Sequence, residues 1–168
     1  MDWAAGDDPT AARAVLTSFF AGQEQAEGLV DVLFGDADPG GRLPTTFPKA
    51  LADHPAYLHH RPDHDSTGAG TQRYGEGLFM GYRGYDARSL APRFAFGHGL
   101  SYGSSDWGGP TASTHTIGAD GSVTVTVPVT ATGERNATVV VQGYVAPIAS
   151  SAKRPPKELK VWTKAVVT

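Results

Sequence analysis

The side chains of this 168-residue sequence whose types and spacing could do chemistry fall into a few sets. Gln23 and Glu24 place an amide and a carboxylate where an apolar run ends and a helical period begins. Ligand-facing loops of α/β sheets leave from the carboxyl ends of strands, so these residues are candidates to line a substrate site. The same position also explains Glu24 without chemistry, because a helix start favours negative charge. Tyr74, Glu76, Tyr82 and Arg83 form a second candidate substrate-lining set. Aromatic faces suit stacking on a ligand ring, and Glu or Arg suit its polar groups. The plainer alternative is an Arg83–carboxylate pair that braces a hairpin.

Further carboxylates stand at Glu27, Asp31, Asp36, Asp38 and Asp86, but the spacing singles out no acid–base pair, so no catalytic residue is assigned. His54, His59, His60 and His64, with Asp53, Asp63 and Asp65, are suitable metal-ligand types in no known ligand spacing. They read as a solvated polar loop, and no metal or cofactor is expected. The stretch Asp36–Gly41 resembles the start of a calcium loop, but it lacks the terminal Glu and carries Pro39. Ser18 and Ser101 have no nucleophile-elbow context. Asn136-Ala137-Thr138 is a glycosylation sequon that acts only in a eukaryotic secretory setting.

The elements that must position these residues come next. Apolar content of 40% with 18% charge indicates a globular chain of one domain or two small ones. The net charge of −3, without a basic stripe, argues against a nucleic-acid partner. With no cysteines, disulfides and thiolate metal sites are excluded. Met1–Asp8 lacks the basic and apolar regions of a signal peptide. No apolar run approaches the roughly 18 residues of a membrane span, so no membrane partner is expected.

Val15–Phe20 reads as a short buried strand and Ala21-Gly22-Gln23 as a turn. From Glu24 the period becomes helical, with Ala26, Leu29, Val30, Leu33 and Phe34 on one face and Gly35 as the C-cap. Arg42–Phe47 reads as a short extended segment, placed by Pro44 at an edge or outside a sheet. Residues 50–70 read as a loop of some twenty residues, and Leu78–Tyr85 as a strand or hairpin arm. After Gly103-Ser104-Ser105 and Gly108-Gly109-Pro110 the pattern becomes β. Ser122–Thr130 alternates, Thr132–Asn136 turns, and Ala137–Val145 and Lys157–Val167 are strands.

Two blocks carry a family resemblance. One is Phe20–Phe47, with Gly-Gln-Glu at 22–24 and Gly-Arg-Leu-Pro-Thr-Thr-Phe at 41–47. The other is Tyr74–Tyr102, with Tyr-Gly-Glu-Gly at 74–77 and Phe-Gly-His-Gly-Leu-Ser-Tyr at 96–102. In this order they resemble the C-terminal part of a glycoside hydrolase family 3 enzyme, of the β-glucosidase and β-xylosidase type. Thr130–Gly133, Val139–Val145 and Arg154–Lys160 are similar to that family's fibronectin type III-like domain.

The resemblance implies an α+β chain in two parts. A partial α/β sandwich domain would occupy 1–103 and a linker 104–110. A truncated all-β, immunoglobulin-like (fibronectin type III-like) sandwich would occupy 111–168. It implies a β-glucoside or oligosaccharide as the parent's substrate. It also implies that the nucleophilic Asp, in a barrel domain, and the acid/base Glu lie outside the matched blocks. That barrel is then the expected partner, in cis or in trans, and the chain alone is expected not to hydrolyse. Ala21 departs from the family's usual proline. The competing reading is a non-catalytic carbohydrate-binding or scaffold module using exposed aromatics such as Trp107 and Trp162.

Overall fold

The computed structural model describes residues 12–60, 63–64 and 70–168. The reading of Met1–Asp8 falls outside these residues. The first element is the helix α1, Gln25–Phe34. It stops where the periodicity says it should: Gly35 takes φ 87°, and the N–H groups of Gly35 and Asp36 return to the Asp31 carbonyl at 3.0 and 2.8 Å. Only a residue without a Cβ enters this left-handed cap freely.

The preceding run Val15–Phe20 is not the buried strand expected from its composition. No strand forms there, Phe19 is 50% exposed and Phe20 fully so. A strand exists only beside a neighbour that takes its N–H and C=O groups, and no strand among the described residues lies alongside this run.

Segment 50–70 contains more structure than a loop. One-turn 3-10 helices form at Leu51–Asp53 and Tyr57–His59. The Asp53 carboxylate accepts the Ala50 N–H at 3.1 Å, closing the first of them. The strands β1 (Asp63–His64) and β2 (Gly70–Thr71) pair antiparallel.

Leu78–Tyr85 is also corrected. Its aromatic content suggests a strand, but Tyr82–Ala87 forms the helix α2. Gly81 at φ 51° turns the chain into that helix. Gly84 lets it seat tightly, since a Cβ there would stand 2.7 Å from the Pro55 ring. Tertiary packing overrides propensity here.

Residues 42–47 run antiparallel to 93–98. The Phe47 N–H reaches the Phe94 carbonyl, the Leu43 N–H the His98 carbonyl and the Gly97 N–H the Leu43 carbonyl, each at 2.8 Å. The Phe47 and Phe94 rings meet edge to face at 6.3 Å.

Strand β3 (Ser105–Trp107) falls inside the segment expected to be linker, yet it pairs with β6 (Val129–Ala131). Between them, β4 (Thr111–Ala112) pairs with β5 (Val125–Thr126). The alternating run 122–130 is therefore two strands with different partners. Pro128 breaks it, because it has no N–H to give a ladder. The long hairpin joins β7 (Ala137–Val145) to β8 (Glu158–Val167), with a bulge at Gly143/Tyr144.

The described residues thus hold two α-helices and four two-stranded antiparallel sheets, a partial α+β arrangement. The deepest apolar side chains are Tyr85, Ala137, Val139 and the fully enclosed Pro155. Tyr85 lies in α2, Ala137 and Val139 lie in β7, and Pro155 lies in the connection between β7 and β8. Among the described residues no helix is long and apolar enough to cross a membrane.

Candidate functional site

The densest polar network is built around Asp38, three residues beyond the Gly35 cap of α1. Its carboxylate accepts Ser101 Oγ at 2.8 Å, the Tyr102 N–H at 2.7 Å and the Thr138 N–H at 3.0 Å. Burial pushes this carboxyl up, but the donors of Thr138, Tyr102 and Ser101 outweigh it and hold the group below the usual aspartate value. Arg42 completes the clamp. Its guanidinium donates to the Thr138 carbonyl at 2.7 Å and to the Leu100 carbonyl at 3.2 Å. Gly40 is required between them, since a Cβ there would lie 2.6 Å from Thr138 Cγ2.

The second network is aromatic. Tyr82 stacks on Phe96 at 5.1 Å and meets Tyr144 edge-on at 5.8 Å, and its hydroxyl accepts the Leu159 N–H at 2.8 Å. Lys157 pairs with Asp86 at 3.5 Å and lies 5.3 Å from the centre of the Tyr144 ring. A cleft of about 110 Å³ opens among Thr46, Tyr82, Tyr85, Asp86, Phe96 and Lys157. The hydroxyls of Thr46 and Tyr85 are buried without a hydrogen-bond partner.

The candidate substrate-lining residues do not converge. Gln23 and Glu24 are exposed at the start of α1, where Glu24 uses its backbone carbonyl to accept the Gly28 N–H at 3.1 Å. Tyr74 is exposed at 77%. Glu76 and Arg83 are half-buried, and Glu76 Oε2 and Arg83 Nε have no hydrogen-bond partner. The proposed Arg83–carboxylate brace does not form among the described residues; Arg83 instead lies 5.8 Å from the centre of the Tyr82 ring. Tyr82 alone of the set is deeply integrated, and its ring and hydroxyl are committed to β7–β8.

Sequence reasoning missed Asp38, Arg42 and Ser101 as a unit. The available signal was Asp38 followed by Pro39-Gly40-Gly41 and Arg42: a carboxylate and a guanidinium flanking glycines that permit close approach.

Among the described residues no group of three or more His, Asp or Glu comes together in a metal-holding arrangement. His54 Nδ1 accepts the Ala56 N–H at 3.2 Å, and the His59 ring packs on Gly75. The side chains of Asp63, His64 and Asp65 fall outside the description.

A retaining glycosidase needs two carboxyls about 5–5.5 Å apart with one kept protonated by a raised pKa. Asp38 and Glu158 are both held low, the wrong direction for a proton donor. For Glu158 the cause is the hydrogen bond and charge of Lys160. The geometry is that of a junction between two parts of a chain.

The chain belongs to the glycosyl hydrolase family 3 C-terminal domain family, whose sequence profile matches residues 1–102. It is 48% identical over 152 residues to a β-glucosidase of Rhizobium radiobacter, covering 90% of this chain and 18% of that protein. It is 38% identical to thermostable β-glucosidase B of Acetivibrio thermocellus, covering 90% of this chain and 20% of that one. Among solved structures, the family 3 β-glucosidase of Bifidobacterium adolescentis superposes with a TM-score of 0.78 at 36% identity, over 90% of this chain and 21% of that one. β-Glucosidase 3B of Thermotoga neapolitana in complex with glucose gives 0.72 at 34% identity, over 85% and 19%. The chain therefore spans about a fifth of the length of the relatives it matches.

Proposed function

We propose that this chain is the C-terminal portion of a family 3 β-glucosidase. Residues 1–103 would close its α/β sandwich domain, and 111–168 would begin a fibronectin type III-like domain. The parent enzyme hydrolyses terminal β-linked glucose, or a similar sugar, from glycosides and oligosaccharides. The nucleophile and the acid/base sit on polypeptide outside these residues, so the chain by itself does not hydrolyse. The role of the chain is to complete the parent's fold: the Asp38–Arg42 clamp and the Tyr82 stack fix the second part against the first. Gln23 and Glu24, exposed at the head of α1, are the residues of this chain best placed to reach a sugar held by the missing part.

The observation that carries this reading is the pairing of 48% identity along 90% of the chain with coverage of only 18% of the relative. The test is to assay the purified chain with aryl β-glucoside and aryl β-xyloside. Turnover well above the buffer rate overturns the reading.

One observation favours the second reading, a free-standing carbohydrate-binding module: Trp107 and Trp162 are exposed at 49% and 65%. Titration with cello- or xylo-oligosaccharides separates the two, because only a binding module gives saturable binding.

A further inference from the structure

Four hydroxyl-bearing side chains line the cleft beside α2: Thr46, Tyr82, Tyr85 and Tyr144. Two of these hydroxyls are committed. That of Tyr82 accepts the Leu159 N–H at 2.8 Å, and that of Tyr144 donates to Gln142 Oε1 at 3.0 Å. The other two are not. Thr46 and Tyr85 are only 4% and 2% exposed, and neither hydroxyl has a hydrogen-bond partner. Asp86, next to Tyr85 and lining the same cleft, adds a third such atom. Its Oδ2 lies 3.5 Å from Lys157 Nζ without a hydrogen bond. A buried polar atom left unpaired is costly and rare in folded proteins. Three of them, drawn from the 42–47 segment and from α2, line one cleft of about 110 Å³.

The chemistry of these groups selects what they would hold. Thr and Tyr hydroxyls donate and accept, whereas an ionised carboxylate only accepts. Burial and the Asp53 carboxylate push the Tyr85 phenol above its ordinary value of 10.0, against an opposing pull from Arg88, so it stays a protonated donor. A ligand hydroxyl, itself donor and acceptor, can satisfy any of the three. Asp86 and Lys157 set opposite charges at the cleft, so a cation meets the lysine and an anion meets the aspartate. Leu90, Pro92 and Phe96 provide apolar wall for a carbon chain.

We infer that this cleft is a binding site for a small neutral polyol, whose hydroxyls pair with Thr46, Tyr85 and Asp86 and whose carbon chain lies on Leu90, Pro92 and Phe96. The lining comes from 42–47, α2, the 92–96 segment, β7 and the residue before β8, so an occupant ties these parts together. Binding to the folded chain alone then raises its stability in step with occupancy.

The experiment titrates glycerol into the purified chain. Side-chain NMR signals of Thr46 and Tyr85 are followed, with a urea melt at each concentration. The signals should shift saturably, with a dissociation constant on the order of millimolar, and the unfolding midpoint should rise with the same dependence. Tyr85→Phe removes an unpartnered hydroxyl, so it should keep the fold while weakening glycerol binding about tenfold. Thr46→Val combined with Tyr85→Phe should abolish saturable binding. Aminopropanediol and glycerate, the cationic and anionic analogues, should each bind about tenfold more weakly than glycerol.

A response linear in glycerol and equal in the chain and in Tyr85→Phe is general exclusion of the co-solvent from the surface, and it overturns the site. Tighter binding of either charged analogue overturns it as well. Should the double variant fail to fold, Tyr85→Phe and the two analogues still decide.

Discussion

Thr138 donates its backbone N–H to Asp38 at 3.0 Å across 100 residues of sequence, while its carbonyl accepts Arg42 at 2.7 Å. One residue at the start of β7 is thus held on both its backbone groups by the two ends of the five-residue stretch Asp38–Arg42. Thr138 is buried; without the carboxylate its N–H keeps only Ser101 Oγ at 3.1 Å, and the Tyr102 N–H and Ser101 hydroxyl lose their acceptor as well. Asp38→Ala should therefore destabilise the junction by about 2–3 kcal/mol. Urea unfolding followed by the exchange of the Thr138 amide reads this directly.

The same carboxylate predicts a pH dependence. Asp38 is held below its ordinary value of 3.8 in the folded chain, so the unfolded state binds its proton first as pH falls. Its contribution is fully present above the ordinary value and is lost as pH drops through the lowered folded one. Protection factors at Thr138 should fall as acid is added below about pH 4. Asp38→Asn should remove that acid step.

Tyr82 and Tyr85 lie three positions apart in α2, and their hydroxyls should respond oppositely. The Tyr82 hydroxyl accepts the Leu159 N–H at 2.8 Å, whereas the Tyr85 hydroxyl is buried without a partner. Tyr82→Phe should cost about 1 kcal/mol, and Tyr85→Phe should be neutral or stabilising. Parallel denaturant melts of the two variants check the sign.

Gly97 sits at φ 81°, and a Cβ there would lie 2.7 Å from the Gln142 amide on β7. Gly97→Ala combines a left-handed backbone with a clash. It should destabilise by about 1–3 kcal/mol, and Gln142→Ala should relieve only the steric part. A double-mutant cycle separates the two contributions.

What the sequence disclosed and what it withheld follow the range of the interactions. The α1 helix and its Gly35 cap were legible because a 3.6-residue period and a glycine at its end are local signals. The β7 and β8 strands were legible from β-branched density. The α2 helix was hidden because Leu78–Tyr85 has strand-forming residues, and only Gly81 and the packing of Gly84 on Pro55 turn them into a helix. Val15–Phe20 carries strand composition without the neighbour a strand needs. The Asp38–Arg42–Ser101 clamp was invisible because its partners lie 58 to 100 residues apart in sequence. Ser101 has no nucleophile-elbow context, and its hydroxyl serves as a donor to Asp38. Of the candidate substrate-lining residues, Tyr82 commits its ring to Phe96 and Tyr144 and its hydroxyl to the Leu159 N–H.

The central claim is that the carboxyls which break the glycosidic bond belong to polypeptide beyond these residues. Hydrolysis of aryl β-glucoside by the purified 168-residue chain, measured beside a chimera in which this chain replaces the matching segment of the R. radiobacter β-glucosidase, tests this most directly. The account predicts the buffer rate for the chain and turnover for the chimera. Hydrolysis by the chain alone, abolished by replacing one of its own carboxylates, would contradict it.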